Sequence, residues 1–240
     1  MKIWRARRQS GASMVEFVVV APIALLLILC IIQIGFLLVG KITLNHAAFM
    51  AARVGAVNNA DAGQIKDAAY KVLLPFWQDS TESNELTRVT KAYAAGYIPN
   101  LGDGEPFSEH SILSVTVLNP SPASFRDFGY ADPLLNKTVI PNDSLAYRSN
   151  TVGSASKQTL QDANLLKIKV TYGFKLKVPL MPGLIKSLMC GNLVGSSPVS
   201  DWGSSSMLPM DTSNCVKYYY FGRIPLTTYA TVRMQSPAYQ

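Results

Sequence analysis

The sequence has little of what most catalytic centres need. It contains only two histidines, His46 and His110, and it has no Cys-x-x-Cys pair, no phosphate-binding glycine loop and no paired helical carboxylates. The sequence therefore has too few histidines and cysteines for the usual metal sites, and too few histidines for histidine-dependent catalytic triads. Residues 154–157 match Ser-x-x-Lys, a motif of acyl enzymes, but its companion motifs are absent and a serine-rich loop produces such a match by chance. The sequence predicts neither an enzyme nor a bound cofactor.

Acidic residues are also few. Lysine and arginine number 22 against 15 aspartates and glutamates, which gives a net charge of +7. Four of the positive charges, Lys2, Arg5, Arg7 and Arg8, lie in residues 1–11, where there is no acid. Because the excess is concentrated there, it indicates membrane topology rather than a nucleic-acid partner.

Charge is absent altogether from residues 17–39, a run of 23 positions. As a helix this run is about 35 Å long, enough to cross a bilayer. Gln33 is its one strongly polar side chain and Pro22 its one helix breaker. A cleavable secretory signal has a shorter apolar region of about 7–15 residues, so we expect this helix to be retained.

The basic flank sets the expected orientation. Four basic residues precede the span and Lys41 alone follows it closely, which predicts a cytoplasmic N-terminus. We expect a single-pass protein of the bacterial inner membrane, with a basic leader (residues 1–11), a transmembrane and juxtamembrane helix (12–58) and a periplasmic domain (59–240).

The helix continues beyond the membrane with two parallel rows of small residues. One row is Ala47, Ala51 and Gly55, and the other is Ala48, Ala52 and Ala56. Small residues at this spacing let another backbone approach closely. The partner is either the protein's own globular domain or a helix of another subunit, and the sequence does not separate the two.

The exported domain shows both helical and strand periodicity. Residues 61–76 predict an amphipathic helix that is capped by Asp61 and ended by Pro75, and residues 85–95 predict a weaker one. Strict alternation over residues 166–178 predicts a strand with four lysines on its open face, and residues 112–118 and 224–234 are further candidates. The expected fold is α+β, with a small antiparallel sheet and short helices packed on the upper half of the long helix; residues 119–164 and 190–222 are expected to be long loops.

Two features of this domain have open interpretations. Cys190 and Cys215 are 25 positions apart and can form a disulfide in an oxidising compartment, or they are two free thiols. The lysine row of the strand and the aromatic run at residues 218–221 can each be a contact surface. A solvated, aggregation-resistant sheet face explains the lysines better, and a strand packed in the core explains the aromatic run equally well.

The most specific local pattern is RRQSGASMVEF, residues 7–17. A basic leader that ends in Gly11, a small residue after it, and Glu16 and Phe17 at the start of an apolar helix resemble the type IV prepilins. More narrowly, residues 8–57, with Pro22 early in the helix and AARVGA at residues 51–56, resemble the TadE-like pseudopilins of tight-adherence (Flp) pili. Where that family often has an acidic residue, this sequence has Gln33.

The resemblance implies a structural role. A prepilin peptidase would cut between Gly11 and Ala12, which makes Glu16 the fifth residue of the mature chain. The carboxylate of Glu16, with Phe17 beside it, would dock onto the freed amino group of a neighbouring pilin or pseudopilin subunit. Other expected partners are the membrane and the pilus assembly platform. The simpler interpretation of Glu16 is a helix-start carboxylate at the lipid headgroups.

A different class of function fits the same topology. The chain would then be an uncleaved, membrane-anchored module whose periplasmic domain recruits secretion or surface partners. The two hypotheses differ at Gly11, because only the first predicts removal of the leader.

Overall fold

A computed structural model of the chain describes residues 12–78, 83–98, 108–134, 136–190 and 217–240. Its longest element is helix α1, Ala12–Val57, which has 46 residues and contains Pro22. The helix ends one residue before the predicted boundary, where Asn59 and Ala60 take left-handed backbone conformations. The carbonyl of Ala56 then accepts backbone N–H groups from Gln235 and Ser236, which supply a partner that a terminal helical carbonyl otherwise lacks.

The other elements are short. The remaining helices of the described residues are α2 (Ala62–Leu73), α3 (Glu85–Tyr97), α4 (Glu109–Ile112), α5 (Pro122–Phe128), α6 (Leu160–Ala163) and α7 (Met181–Cys190). The strands are β1 (Ser114–Asn119), β2 (Tyr130–Asp132), β3 (Lys137–Ile140), β4 (Leu165–Lys175), β5 (Arg223–Arg233) and β6 (Ala238–Tyr239). They form two three-stranded sheets, in the orders β1-β4-β5 and β2-β3-β6. The predicted α+β class is confirmed.

Helix α2 follows its sequence pattern closely. The side chain of Asp61 accepts the backbone N–H groups of Gly63, at 2.7 Å, and Gln64, at 3.3 Å, as an N-cap does. After Leu73 the chain tightens into a 3₁₀ turn at Leu74–Phe76, which contains Pro75. The predicted apolar face is buried at Ile65, Ala69 and Leu73, and Tyr70 joins it.

Strand β4 confirms the predicted alternation up to Phe174. Its apolar side chains Leu166, Ile168 and Val170 are buried and Lys167 is exposed between them. The strand ends at Lys175 and not at residue 178. Just beyond it, the backbone N–H of Leu176 bonds to the carbonyl of Gly222, which directly precedes the neighbouring strand β5. The fourth lysine, Lys177, therefore lies beyond the strand.

The expectation of long loops at residues 119–164 was wrong. That stretch contains α5, α6, β2 and β3, and β3 pairs antiparallel with both β2 and β6. The second sheet brings the end of the chain back, so that Val139 pairs with Tyr239.

The described chain divides into two compact units. Of the described residues, the first unit comprises 12–38, 175–190 and 217–222, and the second comprises those within Val39–Phe174 and Arg223–Gln240. In the second unit, α2 and β4 pack against the end of α1, where a Cβ on Gly55 would lie 2.6 Å from the Ile65 side chain and 2.9 Å from that of Leu166. The division into residues 12–58 and 59–240 follows topology rather than compactness and stays a prediction.

Candidate functional site

In the first half of α1, residues 17–28 form a bare segment, that is, one whose side chains are exposed. From Phe17 to Ile28 every side chain except Ala21 is exposed, and Phe17 itself is 72% exposed. The helix segment Glu16–Val57 is the one helix in the described part of the chain that is long and apolar enough to cross a membrane, with a mean hydropathy of 3.0 over its most apolar window. A helix apolar on all faces does not remain in water, so this segment indicates a membrane anchor.

Glu16 and Phe17 lie at the start of this bare segment, and both are exposed. Within the described residues, the side-chain carboxylate of Glu16 has neither a hydrogen bond nor an ion pair. Gly11 lies outside the described residues, and α1 begins at Ala12. Leader removal and subunit docking through Glu16 therefore stay predictions.

The two rows of small residues are covered by their own chain. All six positions are buried, namely Ala47, Ala48, Ala51, Ala52, Gly55 and Ala56. At Gly55 the covering side chains are Ile65 and Leu166. Earlier in α1, Gly40 faces Phe174, and Asn45 accepts a hydrogen bond from the Thr228 hydroxyl. Side chains of the same chain therefore occupy the space that the small residues leave beside the helix.

One face of α1 is also covered further down, inside the apolar run. Gln33 is 3% exposed, and its Oε1 accepts the backbone N–H of Val178 at 3.1 Å. Its Nε2 is buried and has no hydrogen-bond partner among the described residues. One turn earlier, Cys30 Sγ lies 3.8 Å from Met181 Sδ. The polar residue that stood out in the span thus holds a segment of its own chain, a contact that no local sequence pattern indicates.

The aromatic run at residues 218–221 is not a strand. Tyr219–Phe221 form a 3₁₀ turn that ends at Gly222, whose φ is +65°. Tyr218 is buried, whereas Tyr220 is exposed and its ring lies 4.0 Å from the Lys186 ammonium. The core-strand interpretation is wrong for this run, and the exposed Tyr220 leaves a contact role as a proposal.

The cysteines differ in their surroundings. Cys30 is a free thiol and half-buried in the first unit. Cys190, at the end of α7, is buried and interacts with another residue. Cys215 lies outside the described residues, so the predicted disulfide stays a proposal.

The Ser-x-x-Lys stretch is a structural turn. The carboxylate of Asp127 accepts the backbone N–H groups of Ala155 and Ser156 and the hydroxyls of Ser154 and Ser156. The hydrogen bonds from Ser156 hold the pKa of Asp127 below its usual value. The two serine hydroxyls donate to this carboxylate, which accounts for the motif without a reaction. No cluster of metal-binding side chains occurs among the residues that the structure describes.

Comparison with known proteins agrees with the N-terminal pattern. A family model described as TadE-like protein matches residues 11–53. The match spans the bare segment of α1, the Gln33 face and most of the small-residue rows, and it covers only part of the chain. No curated protein and no solved structure matches the chain. The TadE-like segment points to a protein associated with a tight-adherence pilus.

Proposed function

We propose that this chain is a structural minor pilin, or pseudopilin, that takes part in assembling a tight-adherence (Flp/Tad-type) pilus after a prepilin peptidase removes residues 1–11. The observation that carries the proposal is the bare start of α1, where apolar side chains are exposed on all faces from Phe17 to Ile28. Such a segment needs an apolar partner, and both lipid and the helices of other subunits supply one. The TadE-like match over residues 11–53 supports the same role.

The position of Glu16 supports an ion pair between subunits as the contact that drives assembly. A carboxylate at the edge of an apolar helix is costly unless it is hydrated or paired with a cation. Cleavage after Gly11 would free the α-amino group of Ala12, and in a neighbouring subunit this cation would reach the carboxylate. When this ion pair forms between two subunits, it favours packing of one α1 on another over storage in the bilayer.

The pattern of buried and exposed residues along α1 supports a proposal about where other subunits pack. Residues 47–56 bury their small side chains within the same chain, so they offer less surface to a second helix. The exposed stretch around Phe17, Ile23 and Leu27 remains open on all sides. We therefore place subunit packing on residues 16–28. A separate cytoplasmic motor would supply the energy that draws the helix out of the bilayer.

The proposed role is tested by Glu16→Ala in the full chain. The variant should insert into the membrane normally, because it loses a charge and keeps the apolar run, but surface pili should be reduced severalfold or lost. Glu85→Ala is the matched control, since Glu85 is an exposed acid in the first turn of α3. Normal piliation with Glu16→Ala would remove the docking role of the carboxylate.

A further inference from the structure

After β4 the chain returns to α1 and lies against its apolar run. The segment at residues 176–190, which ends with α7, contacts α1 through Val178 on Gln33 and through Met181 on Cys30. Both α1 residues belong to the run that indicates the membrane span. The segment therefore lies beside the helix at a level that lipid is expected to occupy.

The depth of this contact follows from helix geometry. Lys41 is the first charged residue after the apolar run, and Gln33 precedes it by eight residues. At 1.5 Å per residue, Gln33 lies about 12 Å below Lys41, within a hydrocarbon core of about 30 Å. Irregular backbone is tolerated at such depth only where protein satisfies it, and the Gln33 side chain satisfies the Val178 N–H.

The outer side of the segment is apolar and uncovered. Leu180 is 66% exposed and Leu184 is 39% exposed. Leu180 has φ of +71°, a left-handed conformation that is unfavourable for leucine and that glycine or asparagine adopts easily. An exposed leucine with a left-handed backbone is unfavourable in a turn that faces water. Residues with such unusual backbone conformations concentrate at functional sites.

The charges around the segment have one sign. Residues 175–190 and 217–222 contain four lysines, Lys175, Lys177, Lys186 and Lys217, and no acidic residue. The Lys186 ammonium lies 4.0 Å from the ring of the exposed Tyr220. Lysine and tyrosine side chains are typical of the headgroup level, where basic residues attract anionic lipid.

From these contacts we propose that residues 178–186 form a second lipid contact beside the membrane helix. Leu180 and Leu184 enter the acyl region of the leaflet that surrounds Gln33, while Lys186 and Tyr220 meet anionic headgroups. The inference rests on the membrane span of α1 and not on the pilus role. If the subunit leaves the bilayer, this contact has to be released together with the helix.

The test uses the full wild-type chain in nanodiscs of phosphatidylglycerol and phosphatidylcholine that carry a photoreactive group on an acyl chain. Trypsin cuts after Lys177 and Lys186, so the segment is recovered as one peptide, residues 178–186. The peptide that ends at Lys41 reports the span. The peptide at residues 138–148 is the negative control, because it contains Tyr147, which is 94% exposed and lies in the second unit.

We expect lipid adducts on residues 178–186 at about ten times the yield on residues 138–148, and adducts on the span peptide. Leu180→Asn, which suits the left-handed backbone, should lower the yield on the segment severalfold and leave the span peptide unchanged. Labelling of the span with control-level labelling of the segment would overturn the proposal, as would crosslinks from the segment to protein alone. An unlabelled span peptide would instead refute the membrane anchor, on which the inference also depends.

Discussion

The Oε1 atom of Gln33 accepts the backbone N–H of Val178 at 3.1 Å, across 145 positions of sequence. Both groups are buried, Gln33 at 3% exposure and Val178 at 6%. The bond fixes one end of the segment that continues into α7. It also gives a polar side chain in an apolar run a partner within its own chain.

Gln33→Leu should loosen this segment. The Val178 N–H would lose its acceptor, and an unsatisfied buried donor costs about 1–3 kcal/mol, although removal of the unpartnered Nε2 offsets part of the change in total stability. Local opening is therefore the better measure. Hydrogen exchange at Val178 in detergent-solubilised chain should become about tenfold faster or more. Gln64→Leu, in the first turn of α2, is the control, and unchanged exchange in Gln33→Leu would show that the bond does not hold the segment.

Gly55→Ala should destabilise the second unit. The new Cβ would lie 2.6 Å from the Ile65 side chain and 2.9 Å from that of Leu166, and such overpacking typically costs about 1–3 kcal/mol. The unfolding temperature should fall even though alanine favours a helix by about 1 kcal/mol. Gly35→Ala in the same helix is the matched control, because a Cβ there meets nothing within 4 Å. Equal unfolding temperatures for the two variants would contradict the close packing at Gly55.

The turn at residues 153–158 should open in acid. The folded chain lowers the pKa of Asp127, mainly through hydrogen bonds from Ser156. The carboxylate therefore stabilises the turn fully above its unfolded pKa of about 3.9, and this contribution is lost as the pH falls through the lower folded pKa. Amide exchange at Ala155 and Ser156 should rise at that acidic pH. Asp127→Asn should open the turn already at neutral pH, so that amide exchange at Ala155 and Ser156 no longer shows this dependence on pH. Asp132→Asn, at a different turn, should leave the pH dependence of exchange at these two amides unchanged.

Cys190 and Cys215 should form a disulfide. Trypsin releases both in one peptide, residues 187–217, so an oxidised pair appears without reduction as a peptide two hydrogens lighter. Reduction should lower stability by about 2–4 kcal/mol, because the bond restricts the unfolded chain. The free thiol of Cys30 serves as an internal control for alkylation. Full alkylation of Cys190 and Cys215 without reductant would refute the pair.

The elements that sequence predicted well have local, periodic signals. The apolar run of α1, the Asp61 cap of α2 and the alternation of β4 each depend on residues close together in sequence, so their patterns could be recognised directly. The second sheet has no such signal, because β2, β3 and β6 are two to four residues long and β6 joins from the end of the chain. Short strands in a polar stretch are stabilised by distant pairing that periodicity does not encode.

The candidate site shows the same limit. The bare segment that begins at Glu16 and Phe17 was predictable from composition alone. The role of Gln33 was not, because its partner is a backbone amide 145 positions away. The turn of Tyr219–Phe221 was missed for a related reason, since consecutive aromatic residues favour a strand locally while Gly222 ends the turn with a left-handed backbone.

The central claim is tested most directly by the mass of the N-terminal peptide from membranes, with and without an active prepilin peptidase. In a tryptic digest we expect a peptide that begins at Ala12 and ends at Lys41 when the peptidase is present, and one that begins at Gln9 and ends at Lys41 when it is absent. Gly11→Val should block removal of residues 1–11, and Ser10→Ala should not. An intact Met1 terminus in the presence of the active peptidase would contradict the pseudopilin account and favour an uncleaved membrane-anchored module.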